Sequence, residues 1–544
     1  MNKPLALVLG LGVALAGCND DFLTTVPPDQ VSNANFWRTE QDAILAVNAI
    51  YPMLYGFEGD RGALYLDNAS DNAWQSQAFG GWYATGNGTL DANAGVPAAF
   101  WNDSYRAIRR ANELLANIDR IQFPTPGLQD RLKGEARFLR AYHYNMLVNL
   151  FGDVPLVLTP ITVAEGQAAR TPAADVVDQI LVDLDFAAGV LPVSYPPADR
   201  GRATKGAALA LKARAALYAS RWQVAADAAQ AVMALGVYSL YPNYRNLFTY
   251  AGEGSAEVIS DEQFVQNLRT HAAFREFGPR SAGTLSRSVP LRSLVDDYYM
   301  TDGLPITQSP LYQSHPDSQY LNRDPRLAAT MLIPGAPCSF CVSVPPGIFN
   351  SRPDSVTWAR RGADMVRRDI DATATGFTML KYVDPADAGG NMANSGINII
   401  LIRYADVLLM YVEAKVELNQ HTDAMVETAF NLVRSRAGMP TVAVTGLAQA
   451  QARDLVRHER RVELALEGLR LFDIRRWRIA EQVMQGQSYG FDYFDQPSGA
   501  APGTGTQRTY LAELRRFAAP RDYLWPIPSR ELGLNPNLTQ NPGY

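Results

Sequence analysis

A strong signal for the fold lies in residues 134–156, which read GEARFLRAYHYNMLVNLFGDVPL. From Leu132 to Leu150, apolar side chains recur at steps of three and four residues, the spacing of one face of an α-helix. Gly152 and Pro155 then end the pattern, since both residues favour the end of a helix. The stretch predicts a long amphipathic helix, with His143 on its apolar face as a core histidine with satisfied hydrogen bonds.

Similar helices are predicted in pairs elsewhere. Thr204 is placed as the N-cap of a helix through 208–218, and a second helix over 222–233 follows a tight turn, so that the two resemble a tetratricopeptide unit. Residues 403–418 and 422–437 form another pair, and a last long helix is predicted over about 452–483. No fixed-period repeat strict enough for a regular solenoid is present. The expected fold class is all-α, an irregular scaffold of tetratricopeptide-like helical pairs with long loops and minor β-hairpins.

Long stretches rich in Gly, Pro, Asn, Ser and Asp separate the helices, at residues 56–100, 240–400 and 486–544. Loops of this length in a compact protein are usually functional or contain small sheets of their own. Short β-like patches such as residues 329–333 are expected to form hairpins. Function is therefore expected on the loops rather than on the helices.

The composition excludes several classes of protein. The chain has 544 residues, of which 47% are hydrophobic, 10% aromatic and 19% charged, which is too apolar for a disordered chain. Its 49 Lys and Arg against 55 Asp and Glu give a formal net charge of −6. A nucleic-acid-binding protein would need a basic surface, so no nucleic-acid partner is expected.

The N-terminus predicts a lipid anchor. One lysine precedes an apolar run of about a dozen residues, far short of the roughly 20 that span a bilayer, which is the layout of a signal peptide. Leu15-Ala16-Gly17-Cys18 resembles the bacterial lipobox, in which cleavage precedes a cysteine that is then lipidated. An ordinary signal peptide followed by a chance cysteine is the alternative. Several acyl chains on Cys18 would anchor the protein to a membrane without spanning it.

The two remaining cysteines, Cys338 and Cys341, lie in a proline-rich loop. A zinc site would need two more ligands nearby, and a redox motif would normally open a helix after a strand. Because an exported protein meets an oxidising environment, a local disulfide is predicted. A catalytic dithiol is the alternative.

Catalytic motifs are missing from the sequence. The five histidines are scattered without an HExxH motif, and neither GxSxG, Walker A nor GxGxxG occurs, so no metal and no cofactor are expected. The charged residues of 459–476 lie three and four apart and are interpreted as structural, forming intrahelical ion pairs and arginine forks that hold loop carbonyls. A carboxylate pair for glycoside hydrolysis is the alternative interpretation.

The ordered motifs resemble the SusD/RagB family of surface lipoproteins, which work with TonB-dependent outer-membrane transporters. The resemblance covers nearly the whole mature chain and rests on residues 134–156, 201–208 (GRATKGAA), 403–409 (RYADVLL), 459–477 (ERRVELALEGLRLFDIRRW) and 524–544. It implies a tetratricopeptide-like framework whose irregular loops capture oligosaccharides or, in some members, peptides or other nutrients. It also implies a SusC-like TonB-dependent transporter as partner and no catalytic residues.

One loop carries both aromatic and polar side chains, in the region where members of this family place ligand residues. Sugar C–H faces stack on aromatic rings, while carboxylates and amides bond the hydroxyls. Arg280, in a second aromatic and polar region over 274–287, is a further candidate. The residues expected to contact the ligand in the first loop are Asp67, Asp71, Asn72, Trp74, Trp82 and Tyr83.

Packing in the core or against the transporter is the alternative for the three aromatic residues of that loop. Trp101 and Tyr105 are expected to pack beneath the next helix, and Trp358 and Tyr382 are weaker ligand candidates.

The expected organisation is a signal peptide over 1–17, a lipidated tether over 18–35, an N-terminal part over 36–235 that contains the candidate ligand loop 56–100, and a C-terminal part over 236–544 packed with it as one unit. Acidic residues after Cys18 resemble the surface-export signals of Bacteroidota lipoproteins. The expected function is that of an outer-membrane lipoprotein facing the cell exterior, which binds an oligosaccharide or polysaccharide and delivers it to the transporter. The alternatives are a peptide or small organic ligand, and, more remotely, a surface polysaccharide hydrolase.

Overall fold

The computed structural model describes residues 36–56, 62–77, 81–162, 165–316, 318–342, 346–353, 362–495 and 505–544. The signal peptide, the tether with Cys18 and the side chain of Trp358 lie outside the described residues. Across the described ranges, none of the helices combines the length and the apolar character needed to cross a bilayer.

Helices make up most of the regular structure in the described residues. In chain order they are α1 (Glu40–Asn48), α2 (Ala63–Leu66), α3 (Gly81–Asn87), α4 (Gly95–Asn117), α5 (Leu128–Phe151), α6 (Ala173–Val190), α7 (Lys205–Tyr218), α8 (Trp222–Ala234), α9 (Ala273–Phe277), α10 (Arg292–Asp297), α11 (Arg326–Thr330), α12 (Tyr404–Glu417), α13 (Ala424–Arg436), α14 (Gln449–Glu463), α15 (Arg470–Arg476), α16 (Ala480–Val483) and α17 (Ser529–Leu534). The strands are β1 (Ala73–Gln75), β2 (Val258–Glu262), β3 (Ser288–Pro290), β4 (Met331–Leu332), β5 (Thr378–Met379), β6 (Ile399–Arg403), β7 (Gly486–Asp495) and β8 (Thr506–Arg515).

The long helices pack on their neighbours in the chain, α4 on α5, α5 on α6, α6 on α7 and α7 on α8. Helix α12 packs on α8, α13 and α14 and so joins the later helices to the earlier ones. One hydrophobic cluster extends from Ala43 in α1 to Ile527 beyond β8. The fold is the all-α, tetratricopeptide-like scaffold that the sequence predicts.

Local sequence signals account for the bounds of the main helices. Helix α5 ends at Gly152, whose φ of 75° is unfavourable for a residue with a side chain. The Thr204 hydroxyl accepts a hydrogen bond from the Ala207 N–H at 3.1 Å, as predicted for the N-cap of α7. The predicted pair over 403–418 and 422–437 is confirmed as α12 and α13.

Small antiparallel sheets fill the long connections in the described residues. They pair β1 with β3, β2 with β6, β4 with β5 and β7 with β8. The β-like patch predicted at residues 329–333 is confirmed only as the short strand β4, since its first part belongs to α11. The predicted local hairpin is wrong, because β4 pairs antiparallel with β5, which lies more than 40 residues later. Strands β7 and β8 are consecutive in the chain and pair as a long antiparallel hairpin.

The long helix predicted over about 452–483 is also wrong. The chain forms α14, α15 and α16 instead, with Leu466 at φ 62° and Gly468 at φ 79° in the first break. At Gly468, a Cβ atom would lie 2.0 Å from the Ala63 carbonyl oxygen, so the close approach there needs glycine. The carbonyls released from the helix are bonded by buried cations, since Lys381 Nζ donates to Ala465 O at 2.8 Å and Arg403 Nη2 to Glu463 O at 2.8 Å.

Two smaller predictions have different outcomes. Cys338 and Cys341 form the predicted disulfide, which is buried beside Leu332 and Phe349. His143 lies in the core as predicted, but neither of its ring nitrogens has a hydrogen-bond partner among the residues that the structure describes, so the prediction of satisfied hydrogen bonds is wrong. Burial lowers the pKa of His143 to about 3, which keeps the ring neutral among its aromatic neighbours.

Candidate functional site

The loop predicted to bind the ligand folds mostly into the interior. The side chains without appreciable surface are Asp67, Asp71, Asn72, Trp74 and Trp82. Tyr83 is half-buried. Direct ligand contact by Asp67, Asn72 and Trp82 is therefore wrong, because these side chains have almost no accessible surface.

Trp82 is a core residue. Its ring has no exposed surface and lies 6.1 Å, between centroids, from each of the rings of Tyr65, Phe100 and Trp525. Helix α3 thus inserts this indole between α4 and the C-terminal segment. The alternative interpretation of core packing holds for Trp82.

The polar residues of the same loop attach it to the scaffold. Asp71 accepts two hydrogen bonds from Arg470, at 2.8 and 2.9 Å, and pairs with Arg461 at 2.9 Å. Burial opposes ionisation, yet the two guanidinium groups outweigh it and hold the pKa of Asp71 well below its usual range. Asn72 donates to Asp67 Oδ1 at 2.8 Å and accepts from Arg461 Nε at 3.0 Å. These bonds fix the loop to the scaffold.

The C-terminal hairpin also holds this loop. Arg515 at the end of β8 donates from Nη2 to the Ala73 carbonyl oxygen at 2.7 Å and from Nη1 to that of Ser70. Asp67 Oδ2 accepts from the Gly468 N–H at 2.7 Å, in the break between α14 and α15. The loop is therefore closed by residues that lie about 400 or more positions later in the chain.

Asp67 gives a pH-dependent prediction. Burial raises the pKa of Asp67 to about 6, despite the hydrogen bonds from Gly468 and Asn72. Because the pKa of Asp67 is higher in the folded than in the unfolded protein, its protonation stabilises the fold. This stabilisation is complete below the unfolded-state pKa near 3.8 and is lost as the pH rises through 6. The stability of the wild type relative to Asp67→Asn is therefore expected to fall between pH 4 and pH 6 and then to level off.

Urea unfolding at pH 4, 5, 6 and 7 measures this difference. Asp130→Asn, at an exposed aspartate of α5, is the matched control. If the free energy of unfolding of the wild type minus that of Asp67→Asn were the same at every pH from 4 to 7, the raised pKa would be contradicted.

An exposed surface adjoins the buried loop, and we call it the recognition face. Its side chains come from α3, the turn after α9, the loop 366–371 and strand β8. They are Tyr83, Arg280, Arg367, Asp369, Ile370 and Tyr510. Ile370 is 65% exposed, while Tyr83 and Tyr510 are half-buried.

Hydrogen bonds from three elements position the central loop of this face. Gln77 donates to the Ile370 carbonyl oxygen at 3.0 Å, and the Ser281 N–H donates to Asp364 at 2.7 Å. Arg367 donates to the Ala512 carbonyl oxygen on β8 at 3.2 Å. The exposed side chains therefore project from a supported loop, which limits the ordering entropy that binding would cost.

The recognition face combines aromatic, charged and apolar groups. The Arg367 guanidinium carbon lies 5.6 Å from the centroid of the Trp74 ring and 5.5 Å from that of Tyr510. Trp74 forms the floor, in a small apolar cluster against which Tyr83 packs. Arg280 Nε lies 3.2 Å from Asp369 Oδ2, so the predicted Arg280 is at the surface and paired. Such a face offers ring surfaces for stacking and polar groups for hydroxyls.

Sequence reasoning found part of this face and missed the rest. It named Tyr83 and Arg280, which the structure places on the face, but not Arg367, Asp369 or Tyr510. No sequence motif identifies the missed residues, because they come together on the face only when loops far apart in the chain pack against each other. An aromatic and charged composition within the long loops was the only signal.

The other aromatic candidates are internal. Trp101 and Tyr105 pack together at 5.0 Å between centroids, and Trp101 packs on Phe151 of α5 as predicted. Tyr382 is buried, and its hydroxyl accepts from the Ile400 N–H at 3.2 Å, so ligand contact by Tyr382 is corrected.

The charged residues of 459–476 are structural. The predicted intrahelical pairing is confirmed for Asp473 and Arg476, 2.8 Å apart on α15, and the predicted arginine bond to a loop carbonyl for Arg461, which donates to Asp71 O at 3.1 Å. Most of the other charges pair with residues outside their own helix. Arg403 bonds Glu257 at 2.8 Å and Glu463 and Glu467 at 2.7 Å each. Arg326 pairs with Glu459 and Glu463 in turn. These side chains, which we call the buried ion network, join β6, α11 and α14 across the core.

Metal binding has no candidate in the part of the chain that the structure describes. Nowhere in those residues do three or more His, Cys, Asp or Glu side chains cluster in a way that could hold a metal ion.

Fold and site together define a helical-pair scaffold that presents binding groups on its loops. The SusD family model matches residues 249–544, and a second family model, described as starch-binding and associating with the outer membrane, matches residues 21–217. The chain belongs to the SusD/RagB family.

Relatives agree over nearly the full length. SusD-like protein P25 of Formosa agariphila is 27% identical over 96% of both chains, and SusD-like protein P2 of the same organism is 26% identical over 100% of both. A crystal structure of a SusD-like carbohydrate-binding protein from Bacteroides fragilis has a TM-score of 0.83 and 31% identity. That comparison covers 93% of this chain and 100% of the other.

Proposed function

We propose that this protein captures an oligosaccharide at the recognition face and delivers it to a SusC-like TonB-dependent transporter. The observation that carries the proposal is the pairing of ring surfaces, Tyr83 and Tyr510, with the polar pair Arg280 and Asp369 on one supported face. Sugars need both kinds of group, since their C–H faces stack on rings and their hydroxyls take hydrogen bonds.

The family supports a saccharide as the ligand. One matching family model is described as starch-binding, and the structurally similar Bacteroides fragilis protein is described as carbohydrate-binding. Affinity is expected to be modest, because an open face buries little area and delivery requires release. A peptide or another small organic nutrient is the second ligand class, for which the charged pair on the face would serve equally.

A glycan array on the purified protein tests the ligand class and the site together. Tyr83→Ala and Tyr510→Ala are each expected to weaken binding of the captured glycan about 2- to 10-fold, because each removes one ring contact. Tyr195→Ala, at a half-buried tyrosine remote in the sequence from the face, is the matched control. Unchanged binding in both face variants would remove the site proposal, and binding of peptides alone would replace the ligand class.

Hydrolysis is tested in the same preparation. Release of shorter products from a bound polysaccharide, abolished by one carboxylate substitution, would favour the hydrolase alternative. On the present proposal the bound glycan is recovered intact.

We also propose that Cys18 carries the lipid that holds the protein on the outer membrane, facing the cell exterior. Cys18→Ala is expected to abolish labelling with a radioactive fatty acid and to move the protein from the membrane to the soluble fraction, because the acyl chains supply the anchoring free energy. Fractionation and labelling in a bacterial host measure both effects. Persisting membrane association with label would mean that another residue carries the anchor.

A further inference from the structure

A second cleft lies between α10 and the β7–β8 hairpin. Its volume is about 510 Å³, within the range of pockets that hold small ligands. One wall is Leu291 to Ser293 with Asp296, and the opposite wall is Gln487 to Tyr489 with Thr509. We call it the hairpin cleft. Apart from Leu291, none of its lining residues belongs to the recognition face or to the apolar cluster beneath that face.

Every charge on these walls is already paired. Arg292 bonds Asp296, with Nε 3.0 Å from Oδ2, and also Asp492 of β7, which accepts a further bond from the Thr509 hydroxyl. Asp71 at the inner end is held by Arg470 and Arg461. A charged ligand that displaced Asp71 or Asp492 from its arginine would leave that buried carboxylate unpaired, at a substantial cost. The cleft therefore favours a neutral ligand.

Neutral hydrogen-bonding side chains line the rest of the cleft. Gln485 Oε1 accepts from the Phe517 N–H at 2.8 Å, and Gln487 Oε1 accepts from the Tyr489 hydroxyl. Each amide oxygen keeps a second lone pair, and each NH₂ group supplies two donors, so both exposed amides can bond a ligand. A purely apolar ligand would bury these donors without partners, which is unfavourable.

An aromatic surface completes the cleft. Tyr489 is 37% exposed and lies opposite Leu511 in the hairpin register, and Thr509 is two residues before Leu511. Because alternate residues of a strand share one face, Leu511 and Thr509 extend the surface of Tyr489. A ring flanked by amide donors is suited to a sugar ring, whose C–H face stacks while its hydroxyls accept hydrogen bonds.

We propose that the hairpin cleft is a second saccharide-binding site, which takes one or two neutral sugar rings. The proposal depends on the proposed function only in its choice of a saccharide, since, apart from Leu291, the lining residues of the cleft are separate from the recognition face and from the cluster beneath it. Two separate sites on one molecule would let a long glycan bind by both, which raises its overall affinity.

Fluorotyrosine labelling with ¹⁹F NMR tests the cleft directly. The Tyr489 resonance is assigned by its loss in Tyr489→Phe and is then followed during titration with maltose, cellobiose and glucuronic acid. We expect saturable shifts with at least one neutral disaccharide and none with glucuronic acid at equal concentration. In Gln487→Ala the apparent affinity is expected to fall at least fivefold, whereas Tyr83→Ala leaves the titration of Tyr489 unchanged.

Other outcomes separate this inference from the proposed function. A silent Tyr489 resonance, with the Tyr83 or Tyr510 resonance shifting, would overturn the second site and leave the proposed function standing. A response of Tyr489 to glucuronic acid alone would overturn the neutral ligand class. Silence of all three resonances with both neutral disaccharides, together with an empty glycan array, would overturn both proposals. Loss of the Tyr489 response in Tyr83→Ala would overturn the second site, since the two sites would then not be independent.

Discussion

Arg403→Met is expected to lower the free energy of unfolding by about 3–5 kcal/mol, because it leaves several buried carboxylates without their shared cation. Arg403 is almost fully buried and bonds Glu257, Glu463 and Glu467. Its Nη2 also donates to the Glu463 carbonyl oxygen at the break after α14. The substitution therefore removes charge compensation and a backbone partner at one place.

Chemical denaturation at neutral pH measures this loss, and an exposed ion pair provides the control. Arg109 pairs with Glu113 one turn away on α4 and is 77% exposed, so Arg109→Met is expected to cost no more than about 0.5 kcal/mol. Equal losses in the two variants would show that Arg403 does not carry the buried ion network. The contrast matters because both residues make an ion pair with glutamate.

Trp82→Ala is expected to cost about 3–5 kcal/mol, because it empties a space enclosed by three aromatic rings. The glycan affinity of the folded fraction is expected to stay unchanged, since the indole has no exposed surface. Thermal denaturation and binding, measured at a temperature where the variant is folded, test the two parts separately.

The adjacent residue is the natural comparison. Tyr83→Ala is expected to reverse the pattern, with a loss of about 1 kcal/mol in stability and weaker glycan binding. Lost binding with unchanged stability in Trp82→Ala would contradict the core position of the indole and restore it as a ligand residue.

Helix positions were predictable because their signals are local. The apolar spacing of α5 and the caps at Thr204 and Gly152 lie within a few residues of what they control. The break after Glu463 was not predictable in this way, since the apolar spacing continues through it. The helix ends there because its carbonyl oxygens accept hydrogen bonds from Lys381 and Arg403, which lie 60 or more residues away in the chain.

The site was harder to predict for the same reason. A loop rich in Trp, Asp and Asn has the composition of a sugar-binding loop and equally that of a buried polar network. The partners that decide between them, Arg461, Arg470 and Arg515, are about 390 to 440 residues later in the chain. The recognition face is assembled from four separated segments, of which the sequence singled out two.

The closure of the loop 67–75 by Arg515 has a consequence for the order of events during synthesis. A ribosome releases the N-terminal residues first, and helices α4 to α8 contain enough local contacts to form early. The loop cannot complete its hydrogen bonds at that stage, because the carbonyl oxygens of Ser70 and Ala73 accept from Arg515, near the end of the chain. Until then Trp74 also lacks Ala512, its neighbour from β8 in the apolar cluster.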